Sequence, residues 1–165
     1  MSTASQGTES EVVPVRDDPQ IPDTEILCRR LSDTGPSMIW VDSLSGERRP
    51  TSGAFQPDSD GVSVYRMSIL RASGLTATDL VNDRQNLVVG LPLGEVRSIA
   101  GLGVVDDPWP TDAYEPSHPR NAAHALIVGW QGLSKNERRR RQRALAMLPG
   151  LSFLPLDAES RRQGR

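Results

Sequence analysis

Cysteine, lysine and aromatic side chains are nearly missing from this chain, and each shortage closes off a class of protein. Cys28 is the only cysteine, which excludes an internal disulfide and a thiolate zinc cage built within one chain; a reducing compartment is expected. Aromatics are only 4% of the residues, so a core has to rest on Leu, Val, Ile and Ala. No apolar run approaches the roughly 20 residues needed to cross a bilayer. The N-terminal MSTASQGTESE has neither the basic start nor the apolar stretch of a secretion signal. The expectation is a soluble, cytoplasmic protein with no membrane contact.

Lys135 is the one lysine beside eighteen arginines. Such a bias reads as the mark of a G+C-rich coding genome before it reads as selection for guanidinium at every site. What the chain has in quantity is Gly and Pro, 14 and 13 of them in 165 residues. That length suits one domain, and that composition sends much of it into turns and loops. Residues 1–20 are polar, with three valines as their sizeable apolar side chains, and are read as a disordered leader. Residues 21–157 form the expected domain, and 158–165 a frayed tail.

Within the domain, apolar and polar residues alternate in short runs bounded by turn formers. Residues 25–31 and 37–41 predict two strands joined across Asp33-Thr34-Gly35-Pro36, most simply as a hairpin. Residues 61–65 follow the turn Pro57-Asp58-Ser59-Asp60-Gly61 as a strand buried on one face. Thr76 and Asp79 predict the start of a short helix. Residues 86–91 are an apolar strand, Pro92 and Gly101 bracket a helix, and 102–105 and 124–129 are further strands. Residues 106–121 hold four prolines and predict a long loop, of the kind that is often functional or disordered. The class expected is α+β: a single small domain with a mixed or antiparallel sheet, a few short helices and this long Pro-rich loop.

SKNERRRRQRALAML, residues 134–148, raises a sharper question. Ser134 and Glu137 have the spacing of a capping box, and Pro149-Gly150 stops the helix. On a helical wheel Ala144, Leu145 and Leu148 share an arc, Arg139, Arg140 and Arg143 lie opposite, and Arg138 and Arg141 fall on or beside the apolar arc. A solvated helix face is the plain explanation. The functional alternative is contact between Arg138, Arg139, Arg140, Arg141 and Arg143 and either nucleic acid or a protein partner, although the net charge of -2 argues against a dedicated nucleic-acid binder.

Other residues qualify as site candidates by type alone. His118 and His124 are the only histidines. No recognised metal spacing joins them to Asp106, Asp107 or Asp112, and no metal is expected. His124 begins a strand beside the long loop, a place from which it could act as a general acid or base. Arg29 and Arg30 sit in one strand, whose alternation sends them to opposite faces and leaves one able to face a ligand pocket. Asp58 to Gly61 is a turn and lacks the later ligands of a calcium loop. Ser63 in Gly-Val-Ser-Val-Tyr lacks the second glycine of a nucleophile elbow and is given no catalytic role. Cys28 reads as a small core residue. Trp109, Tyr114 and Trp130 gather near the loop, where they pack it down or form a binding lip.

Leu27-Cys28-Arg29-Arg30-Leu31, residues 49–55 (RPTSGAF), Asp60-Gly61-Val62-Ser63-Val64 and residues 124–129 (HALIVG) together resemble a small, uncharacterised bacterial domain family over about residues 21–130, with no established activity implied. A strand with Arg and then a Ser-containing segment before Phe55 is also similar to ADP-ribosyltransferase-like folds, which bind a dinucleotide. The late catalytic Glu of those folds has no counterpart here, since Glu95 and Glu115 are equally arbitrary, and no role or cofactor is carried over. The functional expectation is therefore a small binding or accessory module acting through a protein partner. The alternative is a nucleotide- or nucleic-acid-directed enzyme with a cleft near Arg29, Arg30 and His124.

Overall fold

The computed structural model describes residues 16–34, 37–108 and 118–157. In chain order the strands are β1 (Ile26–Leu31), β2 (Ile39–Val41), β3 (Arg48–Pro50), β4 (Val62–Arg66), β5 (Leu87–Pro92), β6 (Gly103–Asp106), β7 (His124–Val128) and β8 (Ser152–Phe153). The helices are α1 (Met67–Ala72), α2 (Leu93–Ser98) and α3 (Lys135–Ala146), with 3-10 turns at Ser52–Phe55, Ala77–Leu80 and Pro119–Ala123. A six-stranded sheet in the order β6-β7-β4-β1-β5-β8 is antiparallel throughout. The expected α+β class holds, and the sheet is of the antiparallel kind. No helix among the described residues is long and apolar enough to cross a membrane.

The hairpin expected between 25–31 and 37–41 does not form. β1 lies inside the sheet with β4 on one side and β5 on the other, while β2 pairs with β3 in a separate two-stranded sheet. The reason is burial. β1 buries Leu27 and Leu31 on one face and Cys28 on the other, which only a strand covered on both faces can do. β2 leaves Trp40 and Val41 half exposed and has too little to bury to compete for that place.

Strand alternation divides the core into two layers. Leu27, Val62, Val64, Val89, Leu91, Val104, Ala125 and Ile127 form the first with Phe55, Leu93 and Val96 of α2, Trp130, and Leu145 of α3. Cys28, Tyr65 and Val88 form the second with Met67 and Leu70 of α1, Ala77, Leu80 and Ala123. The start expected at Thr76 and Asp79 forms, as a capping box that opens a 3-10 turn.

Asp17 and Asp18, placed in the leader by composition, lie against β6. The Asp18 amide donates to the Val104 carbonyl at 2.8 Å, the Asp17 carboxylate accepts from the Val104 amide at 2.9 Å, and Arg97 of α2 reaches Asp17 at 3.3 Å. The arginine that anchors them is some 80 residues away, outside the reach of any local composition argument. Of the Pro-rich stretch 106–121, residues 109–117 lie outside the described residues, and with them Trp109, Asp112, Tyr114 and Glu115.

α3 begins at its capping box: the Glu137 amide donates to Ser134 Oγ at 3.2 Å and the Ser134 amide to Glu137 Oε2 at 2.9 Å. Arg138, Arg139, Arg140 and Arg143 are exposed, Arg138 included although the wheel sets it beside the apolar arc, and Arg141 is half-buried. Arg141 Nη1 donates to the carbonyls of Gly101 and Gly129. Gly129 has φ +113°, and a Cβ there would overlap the Gly101 carbonyl; only glycine allows the two backbones to meet under that guanidinium.

Candidate functional site

Alternation along β4 turns Val62 and Val64 into the first layer and leaves Ser63 and Tyr65 on the other face. The β4–β7 register sets Tyr65 opposite His124 and Ser63 opposite Leu126, and the β6–β7 register sets Val105 opposite Leu126. Ser63, Leu126 and Val105 are all partly exposed. They make an open row across three strands, beside the more deeply buried Tyr65 and His124.

His124 is placed by both of its neighbours in the chain. It ends the 3-10 turn Pro119–Ala123, whose start is capped by His118 Nδ1 accepting from the Arg120 amide at 3.1 Å, and it opens β7. The Asp107 amide donates to the His124 carbonyl at 3.0 Å, extending the ladder one residue past β6. This brings the imidazole Nδ1 to 2.7 Å from the Asp107 carbonyl oxygen and 3.2 Å from its carboxylate Oδ2. With two acceptors facing it, Nδ1 carries the proton. Nε2 is then the acceptor for the Ser63 hydroxyl, 2.5 Å away. Tyr65 meets the imidazole edge-on, with ring centroids 5.5 Å apart and planes at 76°.

Burial lowers the His124 pKa below the ordinary histidine value of about 6.5; the Asp107 carbonyl and carboxylate push it upward and Arg30 pushes it down again. The ring is therefore a neutral base at neutral pH. Arg30 shares this face: its guanidinium carbon lies 5.3 Å from the Tyr65 ring centroid and its Nη1 donates to the Leu80 carbonyl at 3.3 Å.

Arg29 points the other way, as alternation predicts. Its Nε donates to the Ala54 carbonyl at 3.1 Å and its Nη1 to the Ser63 carbonyl at 2.9 Å. Burial lowers its pKa to about 10, so it remains charged at neutral pH. It bolts the backbone of Ser63 to the first layer while Arg30 stands beside the imidazole, so the two early arginines share no concavity. α3 packs through Leu145 on the first layer, on the opposite side of the sheet from Ser63 and His124.

A second polar network joins the ends of β4 and β6. Arg66 Nη1 grips both Asp106 carboxylate oxygens at 2.9 and 3.0 Å, and its Nε meets Glu25 at 3.2 Å. Glu25 is buried and also accepts from the Ser68 amide at 3.0 Å and the Ser68 hydroxyl. This clamp fixes the end of β6, and Asp107 is the next residue. Among the described residues no group of three or more His, Cys, Asp or Glu side chains is placed to hold a metal ion. Cys28 is buried and its pKa is pushed up to about 12, chiefly by desolvation and then by Glu25, so it stays a thiol.

Reading by residue type singles out His124 and Arg30, gives Ser63 no catalytic role, weighs Asp107 only as a metal ligand, and passes over Tyr65 and Arg66. Alternation does place Ser63 and Tyr65 on one face; what it does not give is β7 as the neighbouring strand. No family model, curated protein or solved structure matches this chain, so the chemistry of the site has to be read from its own geometry.

Proposed function

We propose that this chain is a serine-dependent ester hydrolase for a small anionic substrate, with its site on the sheet face that carries Ser63, His124 and Asp107. The observation that carries the reading is the run of contacts from the Ser63 hydroxyl to His124 Nε2 and from Nδ1 to Asp107. Ser63 Oγ attacks the ester carbon as Nε2 takes its proton, and the imidazolium then protonates the leaving alkoxide oxygen. Water repeats the cycle to release the product acid. Asp107 holds the tautomer and stabilises the transient charge, with its carbonyl doing as much of the orienting as its carboxylate. Arg30 supplies a fixed positive charge for an anionic group of the substrate. The half-exposed row of Ser63, Leu126 and Val105 is where that substrate lies. A cytoplasmic setting suits the single, buried thiol.

The test is incubation with a fluorophosphonate probe and a panel of carboxylate-bearing nitrophenyl esters. Peptide mass mapping should place the label on Ser63. Ser63→Ala should abolish labelling, and His124→Gln should slow it by about 10²-fold or more, the range of a general base. Wild-type labelling no greater than that of Ser63→Ala would refute the reading. The second reading, a binding module acting through a protein partner, is favoured by a separate surface on α3.

A further inference from the structure

The first half of α3 is not anchored in the core. Residues 135–140 are all exposed, and Leu145 is the one buried side chain of the helix. The helix holds six cations and one carboxylate, Glu137, which is occupied in the capping box. A helix net of +5 in a chain of -2 leaves -7 for the rest. Several other guanidiniums are engaged: Arg49, Arg66 and Arg97 meet carboxylates, Arg29 and Arg30 bond carbonyls, and so does Arg141 of α3 itself. Arg138, Arg139, Arg140 and Arg143 make no ion pair among the described residues. Cations near a helix start also oppose its dipole, so the cluster is not there to stabilise α3.

Against this half of the helix lies an open groove of about 290 Å3. Ile99, Ala100 and Ala144 supply apolar floor, Arg140 and Arg141 supply positive charge along its edge, and Glu137, tied to Ser134 in the capping box, lines it as well. Arg139 and Arg143 are one turn apart and flank Arg140.

We propose that this face docks a short acidic and aliphatic peptide segment of a partner protein. Its carboxylates pair with Arg139, Arg140 and Arg143, whose planar forks suit bidentate contact, and an aliphatic side chain seats on Ile99 and Ala144. A peptide fits better than nucleic acid because the basic surface is only as long as α3, about 18 Å at 1.5 Å per residue. A polynucleotide would run on past the helix, whereas a few peptide residues stay within it. The apolar floor has no use for a phosphate. This proposal stands apart from the chemistry assigned to Ser63.

The experiment is selection from a random peptide library of roughly 12 residues against the full chain, with counter-selection against the triple variant Arg139→Gln, Arg140→Gln, Arg143→Gln. Fluorescence anisotropy of the best labelled peptide follows. Survivors should be enriched in Asp and Glu with interspersed Leu, Ile or Val. Their Kd should weaken about tenfold or more in the triple variant and in Ala144→Glu, with both variants melting as cooperatively as the parent. The proposal is overturned if no peptide survives, if survivors lack acidic enrichment, or if a single-stranded oligonucleotide of about 20 residues binds more tightly than the peptide at the same salt.

Discussion

At the scale of single residues, protonation is the sharpest handle. His124 is held neutral by burial, while in the unfolded chain it takes up a proton near about 6.5. A depressed folded pKa gives stability that is whole above that value and is lost as pH falls toward the folded pKa. Chemical melts should show a fall in stability below about pH 6.5 that His124→Gln flattens. Labelling of Ser63 should decline along the same acid limb, since an imidazolium cannot accept the hydroxyl proton. Cys28 makes the opposite case: its thiol is buried and its pKa is raised to about 12, so iodoacetamide should modify it only after denaturant is added. Both behaviours follow from desolvation, which favours the uncharged form of either group. The residue types were legible in the sequence. Their environments were not, because the Ser63–His124 contact spans 61 positions and the His124–Asp107 contact 17.

At the scale of elements, local rules did well. The strand runs, the Thr76 start, the Pro92 helix start and the Ser134–Glu137 box all rest on neighbours within a few residues, and each appears where local signals place it. Ser134→Ala should cost about 1 kcal/mol in urea unfolding, the usual worth of an N-cap, and leave Ser63 labelling unchanged. Gly129→Ala should cost about 1–3 kcal/mol, because φ there is +113° and the new methyl meets the Gly101 carbonyl. α1 and β3 were not foreseen. α1 has six residues and no side-chain cap, with Met67 and Leu70 as its buried anchors; packing rather than propensity holds it in place. β3 has three residues and exists through its pairing with β2.

At the scale of the whole molecule, the chain uses arginine as its long-range connector. Arg97 ties Asp17 and Asp23 to α2, and Arg66 ties Glu25, at the entry to β1, to Asp106 at the exit of β6. Arg66→Met should destabilise the fold by about 3–5 kcal/mol, since it strands the carboxylate of Glu25, 2% exposed, without its cation. A thermal melt of that variant and of Glu25→Gln, Arg66→Met together separates the lost pair from the stranded charge: the double variant should regain part of the loss. A double variant no more stable than Arg66→Met alone would show that the clamp matters through Asp106 instead.

The sequence by itself determined the class of this protein: α+β with short strands, an aliphatic core and a capped basic helix. Those properties are set by alternation, composition and caps, all of which act over a few neighbouring residues. Only the tertiary structure decided that β1 lies between β4 and β5, that Arg29 and Arg30 serve opposite faces, and that Ser63, His124 and Asp107 converge. Strand partners are chosen by total burial across distant segments, and a hydrogen-bonded site built across three strands exists only once that choice is made.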